Sequence, residues 1–208
     1  MDKRVALVKA ASYDQEVVDD ALRKALELVG GLGTYVKPGM KVLLKVNLLM
    51  KKRPDEATTT HPAVVAGVAK MVKELGATPI IGDSPGGPYN EGWLKGIYAH
   101  CGMEEAAQAS GAELNRDFEV AELAAPTGKL VRKIEVIKAA VDADLVISLA
   151  KFKTHGMTTF TGAVKNLFGV IPGMAKVEYH LKMPEVGLFT ELLVDICEAV
   201  KPGLSIMD

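Results

Sequence analysis

The chain has 208 residues with 25 Lys+Arg against 26 Asp+Glu, a formal charge of -1, which excludes attachment to nucleic acid by bulk positive charge or to a membrane by a polybasic face. Its 49% hydrophobic and 25% charged residues belong to a globular chain rather than a disordered or fibrous one, and at roughly 150 residues per domain the length predicts a single domain, residues 1–208. Two cysteines, Cys101 and Cys197, cannot make a disulfide framework, and they read as buried thiols. No apolar run approaches the roughly 18 residues of a membrane span, and the N-terminus leads into too short an apolar run for a secretory signal. The expectation is a cytoplasmic protein with no membrane partner.

Taken in order, residues 5–9 (Val-Ala-Leu-Val-Lys) predict a short buried strand, and residues 14–29 carry helical spacing through Val17, Val18, Ala21, Leu22, Ala25, Leu26 and Val29. Gly30-Gly31-Leu32-Gly33 closes that helix; it is no dinucleotide fingerprint, because its glycines follow a helix instead of linking a strand to one. Residues 41–46 predict a second strand. His61-Pro62 opens a helix that Gly76 stops, with Pro62 at the tolerated first position. Residues 78–82 predict a third strand running into Asp83-Ser84-Pro85-Gly86-Gly87-Pro88. Two helices follow, one around Trp93, Leu94, Ile97 and Tyr98, the other over residues 103–110.

Residues 130–137 predict a strand with an antiparallel partner near 118–123, and residues 144–150 (Asp-Leu-Val-Ile-Ser-Leu-Ala) give the clearest buried strand. Helices are expected over 161–168, with Thr161 as N-cap, and over 188–200; residues 204–207 begin a last strand. Alternating short strands and amphipathic helices predict an α/β fold, a mostly parallel sheet with helices on both faces and an added antiparallel hairpin. The segment 202–208 stops where a strand should pass into a loop, so a polypeptide truncated at its C-terminus is expected.

In open parallel sheets, ligands bind beyond the carboxyl ends of the strands. The second strand delivers Lys45 and Asn47 there, the third delivers Asp83 and Ser84, and the strand at 144–150 delivers Lys151, Lys153 and His155, whose alternation predicts projection from one side. Thr60 and His61 sit at one helix entrance, Lys165 and Asn166 near another, and a helix N-terminus with nearby lysines favours a carboxylate or phosphate. Gly82-Asp83-Ser84-Pro85-Gly86 matches Gly-x-Ser-x-Gly, but Pro85 has no N–H to give an oxyanion hole, which argues against a serine hydrolase. There is no Walker A sequence, and the histidine spacing fits no zinc signature. His155 is the best acid/base candidate by type.

Lys45-Val46-Asn47, Thr59-Thr60-His61-Pro62, Gly82-Asp83-Ser84-Pro85-Gly86, Lys151-Phe152-Lys153-Thr154-His155 and Gly162-Ala163-Val164-Lys165-Asn166-Leu167-Phe168-Gly169 come in this order. In these motifs the chain resembles the bacterial and archaeal family catalogued as domain of unknown function 362. Members are often described as iron–sulfur proteins because many carry a ferredoxin-type module. This chain has no Cys-x-x-Cys-x-x-Cys run, so no iron–sulfur ligand carries over and the cofactor is left unknown. The family names no substrate.

The expected function is an enzyme-like domain that binds a small carboxylate or phosphate at the carboxyl edge, with a redox link implied by the family context alone. Lys45, Asn47, Thr60, His61, Ser84, Lys151, Lys153, Lys165 and Asn166 would hold the anion, while Asp83 and His155 would move protons. Two alternatives stand beside it: a non-catalytic partner docking a ferredoxin-like module, and a metal-dependent site built from His61, His155 and Asp83.

Overall fold

Strands form where β-branched and leucine side chains can be buried on both sides, and in this chain such runs are separated by helices long enough to cross over the sheet. The computed structural model describes residues 4–208. Helix α1 (Gln15–Leu28) precedes β1 (Lys41–Lys45), α2 (Pro62–Glu74) and β2 (Thr78–Gly82). Helices α3 (Glu91–His100) and α4 (Met103–Ser110) lead to a two-residue strand, β3 (Glu113–Leu114). Then come β4 (Val120–Ala124), β5 (Lys133–Ile137), the short α5 (Lys138–Asp142) and β6 (Leu145–Ala150). A small hairpin, β7 (Lys153–His155) with β8 (Thr159–Thr161), precedes α6 (Ala163–Asn166), α7 (Gly173–Lys182), α8 (Val186–Val200) and β9 (Leu204–Met207).

The sheet order is β3-β2-β1-β6-β9, parallel throughout; β4-β5 and β7-β8 form separate antiparallel pairs. Strand alternation sorts β1 between two layers. Val42 and Leu44 join Ile81, Ile147, Leu149 and the apolar faces of α1, α2 and α4 in one core. Leu43 and Lys45 therefore turn to the other face, where α6 packs on β6 and the 3-10 turn Leu167–Val170 packs on β1. A second core joins Ile134 and Val136 of β5 to Phe168 and to Phe189 and Leu192 of α8. Among the described residues, no helix is long and apolar enough to cross a membrane.

Four sequence expectations are corrected. Residues 5–9 form no strand: Val5 and Leu7 are 93% and 96% exposed, and apolar residues without a neighbour to complete the ladder do not make one. The helix expected over 161–168 is a single α turn continued by the 3-10 turn; Thr161 belongs to β8, and Gly162 occupies the N-cap position without a side-chain cap. A helix this short offers little dipole to an anion. Lys151 and Lys153 do not share a continuous strand, because β6 ends at Ala150 and β7 begins at Lys153. Helix α7 was not foreseen: its apolar residues are divided, Met174, Val177 and Leu181 facing solvent and Ala175 and Tyr179 partly buried against the second core, so it has no single apolar stripe of the usual kind. Cys101 is buried and Cys197 half-buried, both as thiols.

Candidate functional site

The register of β1 sets Lys45 beside Gly82 on one side and Ser148 on the other. Lys45 is thus a lysine at the end of the central strand, on the face covered by α6, and it is 0% exposed. Its Nζ lies 2.7 Å from Asp83 Oδ1, an ion pair off hydrogen-bond alignment. It also donates to Val46 O at 2.6 Å and to Asn166 Oδ1 at 3.4 Å. Asn166 in turn donates to Lys45 O and to Ser148 Oγ at 2.9 and 3.0 Å, tying α6 to two strands. The other Asp83 oxygen accepts from Leu48 N–H at 2.8 Å. Burial pushes the Lys45 ammonium below the usual lysine range against the opposing pull of Asp83. Gly169 closes over the pair: a Cβ there would sit on Asp83 Oδ1 and Lys45 Nζ.

Three more lysines, all half-buried, surround this floor. Lys153 donates to Asn47 Oδ1 at 2.7 Å and to Thr58 O. Lys176, from α7, donates to Ser84 O. Lys165, from α6, lies 5.7 Å from the ring centres of both Phe168 and Phe189. Burial drives all three downward. Lys153 falls to about 8, with Asp83 opposing the fall and the charges of Lys165, Lys151 and Lys45 adding to it. Lys176 falls to about 7, with Asp83 opposing and Lys45 and Lys165 adding. For Lys165 burial acts alone. Three lysines, Lys45, Lys153 and Lys176, thus gather about one carboxylate, Asp83, with the charge of Lys165 acting on two of them, leaving an excess of positive charge in a partly dry site.

The residues singled out from the sequence meet here in part. Asn47 joins the two strand ends, since its Nδ2 donates to Asn166 Oδ1 at 3.3 Å while its Oδ1 accepts from Lys153. Thr60 is fully occupied by the fold: its hydroxyl donates to Leu149 O at 2.7 Å and accepts from Asn47 N–H at 2.8 Å. Ser84 Oγ is buried with no hydrogen-bond partner among the described residues. His155 Nδ1 accepts from the N–H groups of Met157 and Thr158, which places the proton of the neutral ring on Nε2. Burial, then Lys165, His180 and Lys153, hold its pKa low, so the ring is a neutral donor at pH 7. The sequence reading missed Lys176 of α7, whose place four residues before His180, a histidine weighed there only as a metal ligand, was the available signal.

Lys151 and His61 belong to a second cluster. Lys151 pairs with Asp208 Oδ1 at 3.0 Å and donates to Tyr13 Oη at 2.9 Å. His61 stacks on Tyr13 with ring centres 3.7 Å apart, its Nδ1 accepts from Ala63 N–H at the start of α2, and its own N–H donates to Asp208 Oδ2. Burial pulls the Lys151 ammonium down, but the Tyr13 hydroxyl and the Asp208 carboxylate outweigh it, and the net shift is upward. An open hollow of about 950 Å³ lies beside this corner, lined by Tyr13, His61, His100 and the 53–57 loop; another of about 690 Å³ lies over α8 near Asp195. Neither is lined by a lysine of the Asp83 cluster. Among the described residues, no group of three or more His, Cys, Asp or Glu is disposed to hold a metal ion, so His61, His155 and Asp83 are not brought together as one.

The family model described as "Domain of unknown function (DUF362)" matches residues 42–208. A thylakoid-associated protein, sll1697, of Synechocystis is 39% identical over 209 residues, covering 100% of this chain and 63% of that protein's length. In fold, the chain is similar to the lactate racemase apoprotein of Thermoanaerobacterium thermosaccharolyticum, with a TM-score of 0.60 at 16% identity over 99% of this chain and 51% of the other. A Thermotoga maritima protein solved by structural genomics gives 0.56 at 14% identity, covering 97% of this chain and 52% of that one. The chain therefore spans a little over half of the length of these relatives. It belongs to the domain of unknown function 362 family.

Proposed function

We propose that this DUF362 domain binds a small carboxylate at the carboxyl edge of its sheet, with Lys153, Lys165 and Lys176 as the anion's partners and the Lys45–Asp83 pair as the floor beneath it. The observation that carries this reading is the charge imbalance: burial depresses the pKa values of Lys45, Lys153 and Lys176, and the one buried carboxylate they all sense, Asp83, does not offset it. An anion entering the site supplies that charge. It favours the ammonium form of Lys153, the lysine that faces it most directly in charge, and meets N–H donors that the protein leaves unused.

The roles differ from lysine to lysine. Lys45 donates to two acceptors and is paired with Asp83, which leaves it closed within the fold. Lys176 has one protein acceptor, Lys153 has two, and Lys165 only aromatic rings. Asn47 orients Lys153, and neutral His155 can donate from Nε2. Asp83, closed in by Gly169 and bonded to Leu48 N–H, supports the site as a counter-ion rather than by shuttling protons. The sunken position of the cluster favours a small ligand over the flat basic face that ferredoxin docking would use.

The fold neighbour's name supplies a ligand for a first trial. Lactate is a small hydroxy carboxylate, and a racemase named for it shares this fold over nearly the whole of the chain. Thermal unfolding with lactate and with phosphate tests the reading: a ligand held only by the folded state raises the melting temperature. Millimolar lactate or phosphate is expected to raise Tm in the native chain and not in Lys165→Met. No rise with any small carboxylate or phosphate would remove this reading.

A further inference from the structure

We infer that Lys176 is a nucleophile: its amine captures the carbonyl carbon of a 2-oxo acid as an imine while Lys165 and Lys153 hold the acid's carboxylate. This rests on the anion-binding reading above and adds to it the substrate class and a covalent step.

Lys176 owes its place to the helix that carries it. It rises from α7, whose entry is pressed against the Asp83–Pro88 loop so closely that a Cβ on Gly173 would overlap Pro85 O and Gly87 O. That packing fixes the helix start and brings Nζ to the carbonyl of Ser84. One hydrogen is committed there, and Lys176 forms no ion pair among the described residues. An amine anchored by one N–H keeps its lone pair for an electrophile. Asp83, the nearby acid, is already closed against Lys45. Beside it Ser84 Oγ is fully buried and has no hydrogen-bond partner among the described residues, and Asp83 Oδ1 has only its ion pair with Lys45, so this wall holds polar atoms left over by the fold. Burial first, with the charges of Lys45 and Lys165 adding to it against Asp83, brings the Lys176 amine to about 7, so a substantial fraction is neutral near pH 7, as an amine nucleophile requires.

A 2-oxo acid matches both halves of the site, because it carries the anion for the lysines next to the carbon that the amine attacks. The step balances without oxidant or reductant. The Lys176 nitrogen adds to the carbonyl carbon, and one proton passes from that nitrogen to the oxygen. The resulting hydroxyl then leaves as water with a second proton from the Lys165 ammonium. What remains is a protonated imine on Lys176 and a neutral Lys165, and the positive charge is conserved.

The test is reductive trapping on the purified 208-residue chain with pyruvate as the probe. Borohydride reduces an imine to a stable secondary amine, read as one added reduced pyruvyl unit by intact mass and placed by peptide mapping. Labelling confined to Lys176, and lost in Lys176→Arg with circular dichroism unchanged, is the expected result. Labelling spread over exposed lysines, or persisting at full extent in Lys176→Arg, would overturn it. Should Lys176→Arg fail to fold, peptide mapping of the native chain decides alone. Lactate, which has no carbonyl, separates this inference from the one beneath it: if lactate and pyruvate both raise Tm and pyruvate is never trapped, the anion site stands and the imine falls. If neither raises Tm and nothing is trapped, both fall.

Discussion

Lys151 and Lys153 are two residues apart, and both leave the carboxyl end of β6, yet the molecule treats them in opposite ways. Lys151 meets one carboxylate and one hydroxyl, Asp208 and Tyr13, and its ammonium is held above the ordinary range. Lys153 meets an amide oxygen and a carbonyl in the company of three other lysines, and its ammonium is held at about 8. Neither is well exposed. Partnership rather than burial separates them: the Lys151 corner is electrically complete and pins α2 to the end of the sheet, whereas the Lys153 cluster lacks negative charge. A satisfied cluster stabilises a fold, and an unsatisfied one is prepared for a ligand.

The comparison breaks most severely at Asp83. Asp83→Asn leaves Lys45 as a buried charge without its counter-ion, at an expected cost of about 3–5 kcal/mol, measurable by urea unfolding. Adding Lys45→Met to that variant should recover much of the loss, because the unpaired charge goes with it. A double variant as unstable as the single one would refute the account of the floor. Next in size, Lys151→Met strands Asp208 and should cost about 1–3 kcal/mol of stability without changing lactate binding. Lys153→Met should do the reverse, moving stability by only about 0.5 kcal/mol while weakening lactate roughly tenfold. If the two variants behave alike, the distinction between the clusters is wrong.

The contrast between the clusters is also open to titration. Lys153 and Lys176 sit at about 8 and about 7 against a reference of 10.5. Above pH 7 the unfolded chain therefore binds more protons than the folded one, and these two lysines make the unliganded protein more stable as pH rises from 7 to 9. Anion binding favours the protonated lysines, so lactate affinity should fall over the same interval. Calorimetry in buffers of different ionisation enthalpy should register proton uptake on binding; uptake that is absent at pH 8 would contradict the assignment.

Much of this was legible along the chain. The strand at β2 and the helix at α4 fall where apolar spacing put them, and His61-Pro62 opens α2 as an N-cap and first-position proline do. The meeting of Asn47, Asp83 and Lys153 followed from the rule that parallel strands deliver their following residues to one edge. Lys176 escaped that reasoning because its helix divides its apolar residues between solvent and the second core, so ordinary amphipathic spacing did not mark the face that meets the rest of the protein. Thr60 misled for the opposite reason: a hydroxyl at a helix entrance looks available until Leu149 O and Asn47 N–H are seen to use it.

The sequence by itself determined the alternation of strand and helix, the parallel sheet, and the edge at which its lysines collect, since these follow from side-chain period and chain direction. Only the tertiary structure decided which lysine finds a carboxylate and which does not. That choice depends on residues far apart in sequence, Lys45 with Asp83 and Lys151 with Asp208, and electrostatic energy falls with distance through space rather than along the polymer.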